Sequence, residues 1–343
     1  MSMLKPSKPI LKPLKQGRAI IQVADRTTRV AGIKPLVAVL AVLACLVFIS
    51  QTQATVRVVD HKGRTIKVNS PFKRIISLYG AHTENLFYLG ADARIIGVSV
   101  NDTYPEQVES KERFSYHDDP EKFLAVQPDL VLIRPMIENG YPQFVRQLQS
   151  YGITVVSFQP ASIDEMYAYW LNLGRLTGQT KAAESLVSGF KSAVGRIKAR
   201  TLEIPVKKRV YFQAIHTRMR TFTPGSMPIF ALETAGGINV AEDAVASRNT
   251  NVAIYGKEQI LVKAHKIDVF LAQKGIMNPV RKANILNEPG FHIIKAIKED
   301  QVYLIDESIV SRPVPRLYRG IMTIGSKLYP EIFNSIETKK DFL

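Results

Sequence analysis

The sequence predicts an α/β protein of two similar lobes with mainly parallel sheets, bridged by a single long helix, with a ligand cleft between the lobes. Three observations carry this expectation. Strand-like and helix-like segments alternate along the chain, the sign of parallel sheets. A helix–Asp–strand stretch occurs twice, at 120–133 and 257–272. Between the two, Thr180–Thr201 contains no proline, and Leu186, Phe190, Ala193, Val194 and Ile197 recur at helical spacing. That predicts one helix of about 20 residues, roughly 30 Å long. The expected divisions are an export signal over 1–54, a first lobe over 55–178, the bridging helix over 179–204 and a second lobe over 205–343.

The doubled stretch has local causes. Asp119 is a good N-cap, Pro120 suits the first helical position, and Glu121 in the first turn complements the helix dipole. Leu130–Ile133 and Val269–Leu271 are unbroken apolar runs, as expected of parallel strands covered on both faces. Glu121 and Glu258 hold matching places in the two stretches.

Residues 1–54 read as an export signal. Eight Lys and Arg against Asp25 precede Leu36–Ile49, fourteen residues without a charge, and Thr52 and Ala54 sit at the −3 and −1 places of a cut before Thr55. Fourteen residues are short for a membrane span, and an uncleaved anchor is the alternative. The basic region is long for a signal, so translation starting at Met3 or further downstream is also open. Cys45, the only cysteine, lies in the apolar run. Val42-Leu43-Ala44 before it loosely resembles a lipoprotein processing site, but apolar Leu46–Ile49 follow where a lipoprotein turns polar. Cys45 is read as an ordinary small hydrophobe, with lipidation as the alternative. After cleavage no cysteine remains, which excludes a disulfide, a thiolate metal site and a cysteine nucleophile.

The formal net charge is +16, of which the first 54 residues supply +7 and the rest +9. Such a surplus suits an anionic ligand or a negative surface. No basic stripe with interleaved aromatics accompanies it, so nucleic acid is not an expected partner.

In order, Val56–Asp60 and Thr65–Val68 alternate around His61-Lys62-Gly63-Arg64 and predict a β-hairpin. Arg74–Leu78 predicts a strand, followed by a helix over Thr83–Leu89 that His82 or Thr83 begins and Gly90 ends. Arg94–Ser99 predicts a strand, the first copy of the doubled stretch follows, then a helix near Pro142–Tyr151 and a strand at Thr154–Phe158. Ser162-Ile-Asp-Glu165 reads as a capping box for a helix that Gly178 closes, with Trp170, Tyr167 and Tyr169 assigned to that helix and not to a cofactor. Beyond Pro205, a strand starts at Lys207–Phe212. A helix in Pro228–Thr234, the second copy of the stretch, a strand at Val302–Ile305 and a helix from Pro315 to Tyr329 complete the second lobe.

Several segments together resemble the substrate-binding proteins of ABC importers for iron–siderophores, cobalamin and haem. They are RIISLYGAHTENLFYLGADARIIGVS, EKFLAVQPDLVLI, TPGSMPIFALETAGGINVAED and SRPVPRLYRGI, in the family's order. The resemblance covers nearly all of 56–330. It implies an exported, periplasmic, monomeric binding protein and not an enzyme, with small movement on binding, that hands a small-molecule chelate to an ABC permease dimer in the cytoplasmic membrane. It also implies that one Glu on each lobe docks with permease arginines, here Glu121 and Glu258.

Ligand contacts are expected in loops at the carboxyl ends of strands, where α/β proteins bind. The first lobe offers Tyr79, His82, Tyr116, His117, Arg134 and Tyr141. The second offers His216, Arg218, Arg220, Arg248, Lys274, Arg281, Arg312 and Arg316, the last two in a segment that also suits packing. The docking glutamates are expected at the other end of the strands from these loops. Arginine forks suit carboxylates and catecholate oxygens, while tyrosine and histidine supply flat faces or a ligand to a metal already chelated. The arginines and the positive charge favour an anionic ferric chelate over cobalamin and then haem, for which Tyr79, His82, Tyr116 or His117 would be axial ligands. No permanent cofactor is expected, and the six histidines show no i, i+4 pair for a metal. The sequence lacks G-x-S-x-G and a phosphate-binding Gly-Lys-Ser/Thr loop, leaving an exported enzyme as the lesser alternative.

Overall fold

A computed structural model describes residues 56–246 and 250–336. The export segment, Cys45 and Arg248 lie outside the described residues. The chain opens with an antiparallel hairpin, β1 (Val56–Val59) and β2 (Thr65–Val68), which forms a sheet of its own.

The first lobe holds β3 (Ile75–Ser77), β4 (Ile95–Ser99), β5 (Glu112–Phe114), β6 (Leu130–Ile133) and β7 (Thr154–Ser157) in the order β5-β4-β3-β6-β7. Every pairing in it is parallel. Its helices are α1 (Gly80–Tyr88), α2 (Pro120–Ala125), α3 (Pro135–Gly140) and α4 (Pro142–Ser150), followed by α5 (Ile163–Thr177) and the long α6 (Thr180–Leu202). All four β6 residues are buried, as an apolar run covered on both faces requires.

The second lobe begins with β8 (Arg209–Ile215), β9 (Arg220–Phe222), α7 (Met227–Thr234), β10 (Ile238–Asn239) and β11 (Val252–Ile254). It continues with α8 (Lys257–Val262), β12 (Val269–Lys274), α9 (Lys282–Leu286), α10 (Lys295–Lys298), β13 (Val302–Asp306), α11 (Glu307–Val310), α12 (Leu317–Leu328) and α13 (Pro330–Phe333). The sheet order is β11-β9-β8-β12-β13, with β10 beside the start of β8. β8, β12, β13 and β10 run parallel, while β9 is antiparallel to both β8 and β11. Neither this antiparallel ribbon nor α3 is expected from the sequence.

The helix between the sheets spans 23 residues and buries Ala183, Val187, Phe190, Val194, Ile197 and Thr201. These are the i, i+3, i+4 positions of one face. Its Phe190 joins Trp170, Phe212 and Ile321 in a single core cluster, so α5 and α6 pack against residues of both sheets. Gly178 ends α5 in the left-handed conformation at φ 72°, as a C-cap glycine does.

Three local expectations are corrected. Asp119 stands at the N-cap of α2, but its side chain makes no capping hydrogen bond. At α5 only half of the capping box forms: Ser162 Oγ accepts from Glu165 N at 3.3 Å, while the Glu165 carboxylate reaches past the cap to Ala161 N at 2.7 Å. The first helix starts at Gly80, two residues before His82, which puts His82 inside it and wholly buried.

His82 Nε2 lies 2.9 Å from the Ile133 carbonyl oxygen, which can only accept, so Nε2 carries the proton and Nδ1 accepts from Tyr169 Oη at 2.6 Å. Burial pushes the pKa of this neutral imidazole down to about 3. An unfolded histidine takes up its proton near pH 6.5. Below that pH the unfolded state binds a proton that the folded state refuses. His82 alone should therefore remove about 3 kcal/mol of stability between pH 7 and pH 4. Urea unfolding of the wild type and His82→Gln at both pH values checks this: the wild type should lose that much more stability than the variant on acidification.

Candidate functional site

A cavity of about 540 Å³ opens between the lobes at the carboxyl ends of the strands. From the first lobe it is lined by Arg134, which follows β6, by Met136 and Asn139 on α3, and by Gln159 after β7. From the second lobe come Phe222, Asn251, Gln273 at the end of β12, Met277 and Ser311. Gln273 and Ser311 are hydrogen-bonded to each other, which fixes that wall. Apart from Arg134, the charged residues singled out in the sequence do not line it.

Tyr79 is the N-cap residue of α1 and is half-buried. The Arg134 guanidinium stacks on its ring at 5.1 Å. Burial raises the Tyr79 pKa, and the Arg134 and Arg312 charges pull it back. Arg312 approaches through a gap that Gly80 leaves: a Cβ there would lie 2.9 Å from Arg312 Nη1 and 3.1 Å from Asp102 Oδ1. Asp102 is buried, accepts from Thr83 Oγ1, and has its pKa pushed up to about 6 by burial. Among the described residues neither Arg134 nor Arg312 has an ion-pair partner. The Arg134 guanidinium thus lies over the Tyr79 phenol, while Arg312 sits beside Gly80, its charge acting on Tyr79, Asp102 and Glu84 without a direct ion pair to either carboxylate.

The remaining expected contacts divide. His82 is a core residue with both ring nitrogens engaged, so it cannot reach a ligand or an axial position. Arg316 is also buried: its fork meets Glu84 of α1 at 2.6 Å through both Nε and Nη2, and its guanidinium lies 3.7 Å from the centre of the Tyr104 ring. Burial raises the Glu84 pKa while the Arg316 fork lowers it. Arg316 therefore ties the lobes together. Asn85 Nδ2 and Trp170 Nε1 add to that tie, each donating to the Pro313 carbonyl at 3.0 Å.

Tyr116, His117 and Tyr141 cluster with ring centroids 4.4 to 5.0 Å apart on the first lobe and are not among the residues lining the cavity. Arg218, Arg220 and Lys274 stand at the carboxyl edge of the second sheet, also outside the lining, and Arg220 is part of β9 and not of a loop. His216 is buried against Gln213 and Glu288. Among the described residues no group of three or more His, Cys, Asp and Glu is placed to hold a metal.

Glu121 and Glu258 are exposed in the first turns of α2 and α8. α2 follows parallel β5, and α8 follows β11, which runs in the direction of β8 and β12. Both helices therefore start at the carboxyl edges of their sheets. This corrects the expectation that the glutamates lie at the opposite end from the ligand loops: they share the edge on which the cavity opens.

Gln159, Asn251, Gln273 and Ser311 are not among the residues the sequence points to. Gln159 and Gln273 carry a signal, since each stands where an apolar strand ends. Asn251 and Ser311 carry none.

The profile of the family described as "Periplasmic binding protein" matches residues 75–309, more than half of the chain. The chain is 28% identical over 278 residues to an uncharacterised ABC transporter substrate-binding lipoprotein of Bacillus subtilis, covering 80% of this chain and 85% of that one. It is 25% identical to a vitamin B12-binding protein of Vibrio cholerae, over 75% of this chain and 90% of the relative. Among solved structures, a possible iron-binding, periplasmic solute-binding protein of Staphylococcus epidermidis superposes with a TM-score of 0.66 at 27% identity, covering 76% of this chain and all of that one. The chain belongs to the periplasmic binding protein family: it is an extracytoplasmic binding protein and not an enzyme, of the ABC-importer class that includes the iron–siderophore, cobalamin and haem receptors.

Proposed function

We propose that this substrate-binding protein captures an anionic ferric chelate of siderophore type and delivers it to its permease, docking through Glu121 and Glu258. One observation carries the choice of cargo: Arg134, which lines the cavity, lies over the Tyr79 ring, and Arg312 reaches the adjacent Gly80 next to the lining residue Ser311, both without an ion pair among the described residues. Guanidinium forks match carboxylate and catecholate oxygens in pairs, and a phenol adds a donor. A cavity of about 540 Å³ falls in the range of small-ligand sites.

Each charged hydrogen bond is worth about 1.5–3 kcal/mol. Arg134→Ala and Arg312→Ala are each expected to weaken binding of a ferric tricatecholate about 10- to 100-fold, measured by calorimetric titration. Binding to the wild type should also weaken as salt is raised. Equal affinity in wild type and double variant would sink the anionic-chelate reading.

Cobalamin is the second reading. It is favoured by the amide side chains of Asn139, Gln159, Asn251 and Gln273 in the lining and by the vitamin B12-binding relative. Salt-insensitive binding of cyanocobalamin that does not need Arg312 would favour it.

A further inference from the structure

The hairpin β1–β2 precedes the residues that the family profile matches, and it has no strand partner in either main sheet. An isolated two-stranded hairpin is marginally stable in water. Val58 and Val68 anchor this one in the core cluster that contains Trp170. Its turn, Asp60–Arg64, contacts the first-lobe wall of the cavity at Asn139 and Gln159.

Asp60 is buried and acts as the hub. Its carboxylate accepts from Lys62 N at 2.9 Å, Arg64 N at 3.0 Å and Ser157 N, at the end of β7, at 3.2 Å. It also holds the Arg64 guanidinium through Nε at 2.9 Å and Nη2 at 2.6 Å. The remaining arm of Arg64, Nη1, reaches Glu138 on α3 at 2.8 Å. Beside it Lys62 Nζ donates to Asn139 Oδ1 at 2.6 Å. On the other strand-end loop, Gln159 N donates to His61 Nδ1 at 3.1 Å, and His61 N donates to the Ser157 carbonyl at 3.0 Å.

Asn139 and Gln159 are lining residues, and Met136 shares the six-residue α3 with Glu138 and Asn139. A helix that short does not hold itself in water, and α3 has no side-chain N-cap. We infer that the turn Asp60–Arg64 is a positioning device for the cargo site, with Arg64 as the residue that holds α3 against the cavity through Glu138. This holds for any cargo in the cavity, and only the affinity measurement rests on the ferric-chelate reading.

Hydrogen exchange on the whole protein, without ligand, tests it first. Arg64→Met should raise exchange of amides 136–140 about tenfold or more, with exchange in β6 unchanged. Glu138→Met, which leaves the Asp60–Arg64 pair intact but removes the acceptor for Arg64, should do the same, and the double variant should add little to either. If Arg64→Met fails to fold, Glu138→Met decides alone. Unchanged exchange at 136–140 in the folded variants would overturn the inference. The second arm titrates ferric tricatecholate: Arg64→Met should weaken it about tenfold, and Arg64→Lys should recover part of the loss. Faster exchange at 136–140 with no chelate binding by the wild type would leave the positioning role standing and sink the cargo reading. Faster exchange with wild-type affinity would overturn the link to the cargo site.

Discussion

Reversing the charge at both Glu121 and Glu258 is expected to abolish uptake while leaving cargo affinity intact. Both carboxylates are exposed, both begin short helices, and both stand at the sheet edge on which the cavity opens. Docking there would bring the cavity mouth to the permease. Among the described residues the Glu121 carboxylate accepts a hydrogen bond from Tyr151 Oη at 3.3 Å, so its removal should cost the fold little. As a helix N-terminal charge each is worth about 0.3–1 kcal/mol of stability. Across an interface, opposed like charges cost several kcal/mol and suppress the encounter. Uptake of labelled cargo in cells or proteoliposomes, alongside cargo titration, separates the two roles. Wild-type uptake by Glu121→Arg/Glu258→Arg would sink the docking proposal.

Breaking the Glu84–Arg316 pair should destabilise the protein by about 3–5 kcal/mol, because the partner left behind is a buried, unpaired charge. Both carboxylate oxygens of Glu84 are engaged at 2.6 Å, and both residues are more than nine-tenths buried. Arg316→Met should show this loss in denaturant unfolding. Replacing both members together with apolar residues of similar shape, Glu84→Leu and Arg316→Met, should recover much of it. The pair joins α1 of the first lobe to the segment entering α12, so the loss should appear as lower cooperativity between the lobes as well as a lower midpoint. A loss under about 1 kcal/mol for Arg316→Met would place this pair with ordinary surface pairs.

The frame of the fold was legible because its signals are local. The apolar runs at Leu130–Ile133 and Val269–Leu271, the periodic face of α6 and Gly178 after α5 need no partner to be read. The ribbon β9–β11 was not legible, since each strand has three residues and the turn at Arg218–Met219 carries no Gly or Asn signal. Gly80 misleads for a physical reason. It precedes the expected start at His82 or Thr83, yet α1 begins at it, and the missing Cβ leaves room for Arg312 and Asp102. Reading Gly80 as part of a loop carries His82 into the loop as well, although it belongs to the core.

At the site, the loops at strand ends include Arg134, which lines the cavity, but a loop arginine and a buried one look alike in sequence. Arg312 and Arg316 are four residues apart, and only the second meets Glu84, 232 residues away. Long-range partners decide such cases. The same holds for the wall of the cavity, whose α3 depends on Arg64 from a hairpin more than 70 residues earlier.

Visible absorption titration of the purified protein with a ferric tricatecholate, cyanocobalamin and haemin, at low and at high salt, discriminates among the three cargoes. The expected result is one-to-one binding of the ferric chelate that weakens with salt, preferred over the other two and lost in Arg134→Ala/Arg312→Ala. Salt-independent, preferential binding of cyanocobalamin, or a haem Soret shift that survives loss of both arginines, would overturn the assignment of an anionic ferric cargo.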